Sequence, residues 1–202
     1  MTDTSIIQIR PPQRLRREII AIMSDFANKY RVYRDVNRKN PHITLLDLSE
    51  EAYEYDLILD KIRHSIKGVK PFKVYIDGIS SFDKPNKNGG PMKRRHNYVI
   101  YLRVLGNFDL LSLHEKLAAN LDKDKTPHRK FVPHITLSHQ DLDKRGFDRA
   151  RIEYRKFVFK HSFTVNGVYL YTHVEGLKPR VTYIRFSSGT HREPKIYPKR
   201  DA

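Results

Sequence analysis

The sequence predicts an α+β fold: a single bilobal domain whose two pseudo-symmetric halves, each of sheet and helix, flank a central cleft. Three observations predict it. The pentapeptide Pro-His-Ile-Thr-Leu occurs at residues 41–45 and again at 133–137, and the chain holds no other His-x-Thr triplet. The same order of strand and helix patterns surrounds each copy. Ile7 precedes His42 by 35 residues and Val99 precedes His134 by 35, so the register of the whole unit reads as duplicated. Self-similarity of this kind marks a repeated structural unit. The units are expected over residues 5–79 and 98–186 of one domain spanning 1–189, with a basic tail over 190–202.

Each element follows from its pattern. Residues 5–9 read as a short strand. Pro11 and Pro12 then open a segment in which Leu15, Ile19, Ile22, Phe26 and Tyr30 recur at helical spacing among Arg and Lys, an amphipathic helix with Pro in its first turn. The first pentapeptide follows about a dozen residues later. Tyr55, Ile58, Leu59, Ile62 and Ile66 predict a second helix, ended by Gly68 and Pro71. Phe72, Val74 and Ile76 alternate with Lys73, Tyr75 and Asp77, a strand with one buried face. In the second half, residues 98–105 alternate as a strand and Leu110, Leu113, Leu117 and Leu121 predict a helix. The second pentapeptide comes next, then a weaker helix over 142–152 and strands over 157–159, 163–171 and 181–186. Between the halves, residues 84–97 (KPNKNGGPMKRRHN) read as a basic loop or lobe connector. Lys93, Arg94 and Arg95 within it are candidate RNA contacts.

Composition narrows the function. The 202 residues carry 39 Lys plus Arg against 23 Asp plus Glu, a formal net charge of +16, which favours polyanionic partners, nucleic acid first among them. The 12 Tyr, 10 Phe and a hydrophobic fraction of 39% support a real core and argue against global disorder. No cysteine is present, which removes disulfides, thiolate metal sites and Cys nucleophiles. No signal peptide and no membrane span is expected, and the protein is expected to be cytoplasmic, monomeric and independent of membranes. No glycine-rich phosphate loop is present, and the other histidines lack metal-ligand spacing, so no metal and no cofactor is expected.

The repeated motif carries the chemistry. On a strand, residues i and i+2 share a face, so His42 projects with Thr44 and His134 with Thr136, while Ile43, Leu45, Ile135 and Leu137 point into the core. Two such units about an approximate two-fold axis bring two imidazoles and two hydroxyls into one cleft. A phosphate held there has an imidazole on each side, one to take a proton from attacking water and one to protonate the leaving oxygen. The threonine hydroxyls can hydrogen-bond its non-bridging oxygens. Tyr169 and Tyr171, on a late strand, are candidates for lining the cleft and stacking on a base.

With its paired motifs in matching halves, the chain resembles the 2H phosphoesterase superfamily, and within it the LigT-like branch of 2′-5′ RNA ligases and RNA 2′,3′-cyclic phosphodiesterases, over about residues 5–187. The resemblance implies a two-lobed, barrel-like α+β fold and a metal-independent opening of 2′,3′-cyclic phosphates of RNA or nucleotides to 2′-phosphomonoesters, with 2′-5′ RNA ligation as the reverse reaction. It also implies roles: His42 as the acid at the 3′ oxygen, His134 as the base for water, Thr44 and Thr136 as phosphate ligands. One position departs from the branch, which often carries Arg five residues beyond the second motif histidine; here it is His139, a candidate substrate contact without permanent charge. ADP-ribose cyclic phosphate or 2′-5′ oligonucleotides are alternative substrates for the same site. An RNA-binding module without catalysis is the reading from another class.

Overall fold

The computed structural model describes residues 4–32, 40–48, 54–85, 96–121, 131–139, 142–174 and 176–186. In chain order the elements are β1 (Thr4–Ile9), α1 (Gln13–Tyr30), β2 (Ile43–Asp47), α2 (Tyr55–Ser65), β3 (Phe72–Pro85), β4 (His96–Leu105), α3 (Phe108–Leu121), β5 (His134–His139), α4 (Lys144–Glu153), a 3-10 turn (Tyr154–Lys156), β6 (Lys160–Val165), β7 (Gly167–His173) and β8 (Arg180–Arg185). Among the described residues no helix is long and apolar enough to cross a membrane.

The helices form where apolar spacing asks for them. Leu15, Ile19, Phe26, Ile58, Leu59, Ile62, Leu110, Leu113, Leu117 and Leu121 are all buried. Each such side chain taken fully out of water contributes about 1.5–3 kcal/mol before entropy is counted. Pro12 stands at the N-cap of α1 rather than inside its first turn. Asp143 caps α4, its side chain accepting from the Gly146 amide at 2.6 Å. The α1–α4 contact is polar at its rim, where Lys29 and Tyr30 both bond Glu153, and aromatic beneath, with the Phe26 and Tyr154 rings 5.4 Å apart.

Among the described residues, all eight strands form one antiparallel sheet in the order β6-β3-β4-β5-β2-β1-β7-β8. The order is palindromic in kind: β2 and β5 lie at the centre, β1 and β4 outside them, then β7 and β3, then β8 and β6. A two-fold axis between β2 and β5 relates the halves. The halves of the sheet are not the halves of the chain, since β3 extends the side built from β4 and β5, and β7 extends the side built from β1 and β2. Laid flat, the six inter-strand spacings from β6 to β7 would span about 29 Å. Yet Asn166 alone joins these strands, and so short a link reaches roughly 7 Å. The sheet therefore curls until its flanks meet. Phe72 of β3 and Phe186 beyond β8, from opposite flanks, stack at 6.1 Å.

Several elements differ from the sequence reading. The segment 163–171, expected as one strand, is two strands broken at Asn166, because the chain there passes from one sheet flank to the other. Residues 157–159 are not a strand: they follow the 3-10 turn, and pairing starts at Lys160. The strand expected over 72–77 continues to Pro85, since Gly78, at φ 72°, accommodates a register shift that interrupts the alternation. Both ends of the expected connector belong to a hairpin, with Lys84 paired to Asn97 and Pro85 to His96. Lys93, Arg94, Arg95 and the tail over 190–202 lie outside the described residues. The structural counterpart of Ile7 is Ile100 rather than Val99, because Gln8 and Tyr101 occupy matching positions opposite Thr44 and Thr136.

Candidate active site

The axis passes through the motifs themselves. Between β2 and β5 one pair is in register, Ile43 against Ile135, the central residues of the two pentapeptides. Every other ladder in the sheet is at least four pairs long. Continuing this register by one residue sets His42 across from Thr136 and Thr44 across from His134. Ile43 and Ile135 are both fully buried on the helix-covered face. All four motif side chains therefore share the opposite face, each of them half-buried.

Local bonds orient both rings alike. His42 Nδ1 lies 2.7 Å from the carbonyl oxygen of Asn40, and His134 Nδ1 lies 2.8 Å from that of Val132. A carbonyl only accepts, so Nδ1 carries the proton in each ring and Nε2 is left as the nitrogen able to take up or give one. Phe82 meets the His134 ring edge-on at 5.2 Å, and Tyr101 lies 5.1 Å away at a tilt. On the first motif, His114 of α3 places Nδ1 2.9 Å from the Leu45 carbonyl, at the position where β2 slips register against β1. The same ring stacks at 4.0 Å on Phe131, which leads into the second motif.

The neighbouring strands complete the motif face in matching pairs. Thr44 faces Gln8 of β1, and Gln8 faces Tyr169 of β7. Thr136 faces Tyr101 of β4, and Tyr101 faces Ser80 of β3. Arg103 of β4 lies against His134. By the same symmetry Arg10, two residues beyond Gln8, is its counterpart beside His42. The two arginines differ in their partners. Arg103 donates to the Asp77 carbonyl at 2.9 Å and to its carboxylate at 3.1 Å. Arg10 lies over the Tyr169 ring, 5.1 Å from its centroid. The Gln8 amide, turned with its oxygen toward the guanidinium, accepts from Arg10 Nη2 at 2.7 Å and Nε at 3.0 Å. Burial, then the nearby Arg16, hold this guanidinium below the ordinary arginine range.

Of the residues singled out from sequence, His42, Thr44, His134 and Thr136 come together, and Tyr169 and Tyr171 lie on their face, alternating with buried Val168 and Leu170. His139 ends β5 as a backbone partner of Val99. Arg10, Gln8, Phe82, Tyr101, Arg103 and His114 escaped the sequence reading. A signal for two of them was present: the runs Ile-Ile-Gln-Ile-Arg and Val-Ile-Tyr-Leu-Arg, both ending in Arg, align Arg10 with Arg103 once the repeat is shifted by one residue. A separate cavity of about 300 Å³ lies on the helix side of β3 and β4, lined by Ile79, Ile100, Arg151 and Tyr154 among others, and no motif residue borders it.

Comparison with known proteins points one way. The family model of the 2′-5′ RNA ligase superfamily matches residues 11–177. Two Bacillus proteins bearing provisional phosphoesterase names are similar in sequence. The one from Bacillus pumilus is 30% identical over 160 residues, 76% of this chain and 84% of that protein. The one from Bacillus licheniformis is 31% identical over 131 residues, 62% and 69% respectively. Among solved structures, E. coli LigT superposes with a TM-score of 0.60 at 20% identity, covering 91% of this chain and 95% of LigT. A Thermus thermophilus protein, TT0787, gives 0.60 at 18%, covering 90% and 95%. LigT has also been solved with 3′-AMP, and that structure superposes at a TM-score of 0.57.

Proposed function

Because this chain belongs to the 2′-5′ RNA ligase superfamily, we propose that it is a phosphoesterase that opens 2′,3′-cyclic phosphates of RNA or nucleotides to 2′-phosphomonoesters. The observation that carries the reading is the pairing of Ile43 with Ile135, which sets two identically held imidazoles and two hydroxyls about one axis on one face. Water attacks phosphorus in line with the bond to O3′. Nε2 of His134 takes the water proton as the new P–O bond forms, and Nε2 of protonated His42 delivers a proton to O3′ as the P–O3′ bond breaks. The products are a 2′-phosphate and a free 3′ hydroxyl. Thr44 and Thr136 donate to the non-bridging oxygens, whose charge must be held through the transition state. Tyr171 serves as an aromatic surface for stacking a base, and the basic surface holds the nucleic acid. With a 5′ hydroxyl in place of water as the nucleophile, the same in-line step forms the new P–O5′ bond as the P–O3′ bond breaks, and the product is a 2′-5′ linkage, which is ligation.

The test is a product assay. Purified protein is incubated with a 2′,3′-cyclic nucleotide or a cyclic-phosphate-ended RNA in excess EDTA, and the isomers are separated chromatographically. The expected product is the 2′-phosphate, formed at a rate the chelator leaves intact. A 3′-phosphate would reverse the roles of the two oxygens, and loss of activity in EDTA would overturn the metal-independent scheme. RNA binding without turnover in all substrates would favour the binding module.

A further inference from the structure

We propose that Arg10, braced by Gln8 and Tyr169, is a second anion subsite that takes the phosphate on the 5′ side of the nucleotide whose cyclic phosphate sits at the histidines. This deepens the preceding reading and rests on it for the position of the first phosphate.

The argument starts from donor counting. A guanidinium has five N–H groups in a planar fork. The Gln8 oxygen takes one from Nε and one from Nη2. The second Nη2 proton and the Nη1 proton beside it then form another fork, the shape that suits two phosphate oxygens at once. The guanidinium also lies over the Tyr169 ring, which in turn meets the Tyr183 ring at 4.8 Å. Gln8 is itself 1% exposed, a buried amide whose bonds go to this arginine. Such an arrangement loses little side-chain entropy on binding, because the side chain is already held.

Charge gives the second argument. Around Arg10 stand Gln8, Tyr169 and the like-charged Arg16, and among the described residues no ion pair joins it to a carboxylate. Its symmetry mate Arg103 is instead paired with Asp77. The two-fold site is thus made one-sided: on the Arg103 side the cation is neutralised within the protein, and on the Arg10 side it is held beside a like charge. A desolvated cation in that setting is relieved by an anionic ligand.

Position selects which anion. Thr44, Gln8 and Tyr169 lie on three successive strands, so the strand that carries the ring under Arg10 runs about 9–10 Å from that of Thr44, backbone to backbone. The guanidinium, held between Gln8 and that ring, lies on the outer side of Thr44, away from the axis on which the phosphate between the histidines sits. It suits a phosphate one nucleotide backbone away, either the preceding phosphodiester of an RNA or a 5′-phosphate on the same ribose. The site then favours substrates that extend on the 5′ side over a bare nucleoside cyclic phosphate.

The test compares adenosine 2′,3′-cyclic phosphate with its 5′-phosphorylated form in wild type, R10Q and R10K. Wild type should give the higher kcat/KM with the 5′-phosphorylated substrate, through KM. In R10Q this preference should shrink by about ten- to a hundredfold, the loss expected for a charge-assisted hydrogen-bonded contact, and R10K should fall between. An unchanged ratio would overturn the proposal, as would an equal loss on both substrates, which would place Arg10 at the reacting phosphate. Calorimetric titration with adenosine 2′-phosphate and adenosine 2′,5′-bisphosphate repeats the comparison without turnover. If no cyclic phosphate is hydrolysed but R10Q selectively weakens the bisphosphate, the reaction assignment fails and the subsite stands. Equal affinities of wild type for the two ligands, or no binding of either, would remove the subsite.

Discussion

At the scale of single residues, the motif histidines differ from their neighbours in how their surroundings hold them. Each Nδ1 is engaged by a carbonyl two residues upstream, so both rings present the same nitrogen to the same face. Removing a positioned acid or base costs about 10²–10⁴ in rate. His42→Ala and His134→Ala are therefore each expected to lose nearly all turnover of a 2′,3′-cyclic nucleotide while keeping the wild-type circular dichroism spectrum. Full activity in either variant would end the two-imidazole scheme. Thr44→Ala and Thr136→Ala remove one donor apiece and should lose less, up to about 3 kcal/mol of transition-state stabilisation. Because one imidazole must be neutral while the other is protonated, the rate should pass through a maximum with pH. A rate that keeps rising with alkali would point to another nucleophile.

Among the elements, the packing of α1 on α4 has a pH signature of its own. Tyr154, at the end of α4, has its phenol pushed up to about 12 by burial first, with the charges of Asp25 and Glu153 behind it. A folded value above the unfolded one, near 10, means the neutral form is favoured in the fold. The stabilisation is complete below about pH 10 and disappears as pH rises toward the folded value. Urea midpoints measured at pH 9 and pH 11.5 should fall for wild type and fall less for Tyr154→Phe, which has no proton to lose. Equal falls would mean the ring is not sensing the packed interface. Tyr30 on α1 is shifted in the same direction by burial and by its bond to Glu153, so Tyr30→Phe should add to the effect.

At the scale of the whole molecule, the curl of the sheet depends on the passage from β6 to β7. Gly167 lies there, and a Cβ at that position would stand 2.4 Å from the Ile184 carbonyl oxygen and 2.7 Å from the Tyr183 ring. The neighbour strand cannot give way without losing its pairing with β7. Gly167→Ala should destabilise by roughly 1–3 kcal/mol, read as a lower urea midpoint; an unchanged midpoint would show that the flanks close less tightly. The net charge of +16 belongs to this scale too. RNA affinity should fall steeply with salt. Neutralising Lys93, Arg94 and Arg95 together should weaken long RNA more than a cyclic mononucleotide, and equal weakening of both would place that segment at the site or in the fold.

The sequence by itself determined the local structure and the candidate site residues. Helical spacing located α1, α2 and α3, alternation located β4 and the first part of β3, and the doubled pentapeptide located His42, Thr44, His134 and Thr136. These features are legible because periodicity depends only on neighbours along the chain. Tertiary structure decided the rest. It split 163–171 at Asn166, because only the curl of the sheet brings the ends of β6 and β7 together. It carried β3 past Gly78, where a register shift breaks the alternation that marks a strand. It also paired Arg103 with Asp77 and left Arg10 to Gln8 and Tyr169, thereby making a two-fold motif one-sided. Such partnerships arise between strands far apart in sequence, and their energies depend on which groups the fold removes from water together.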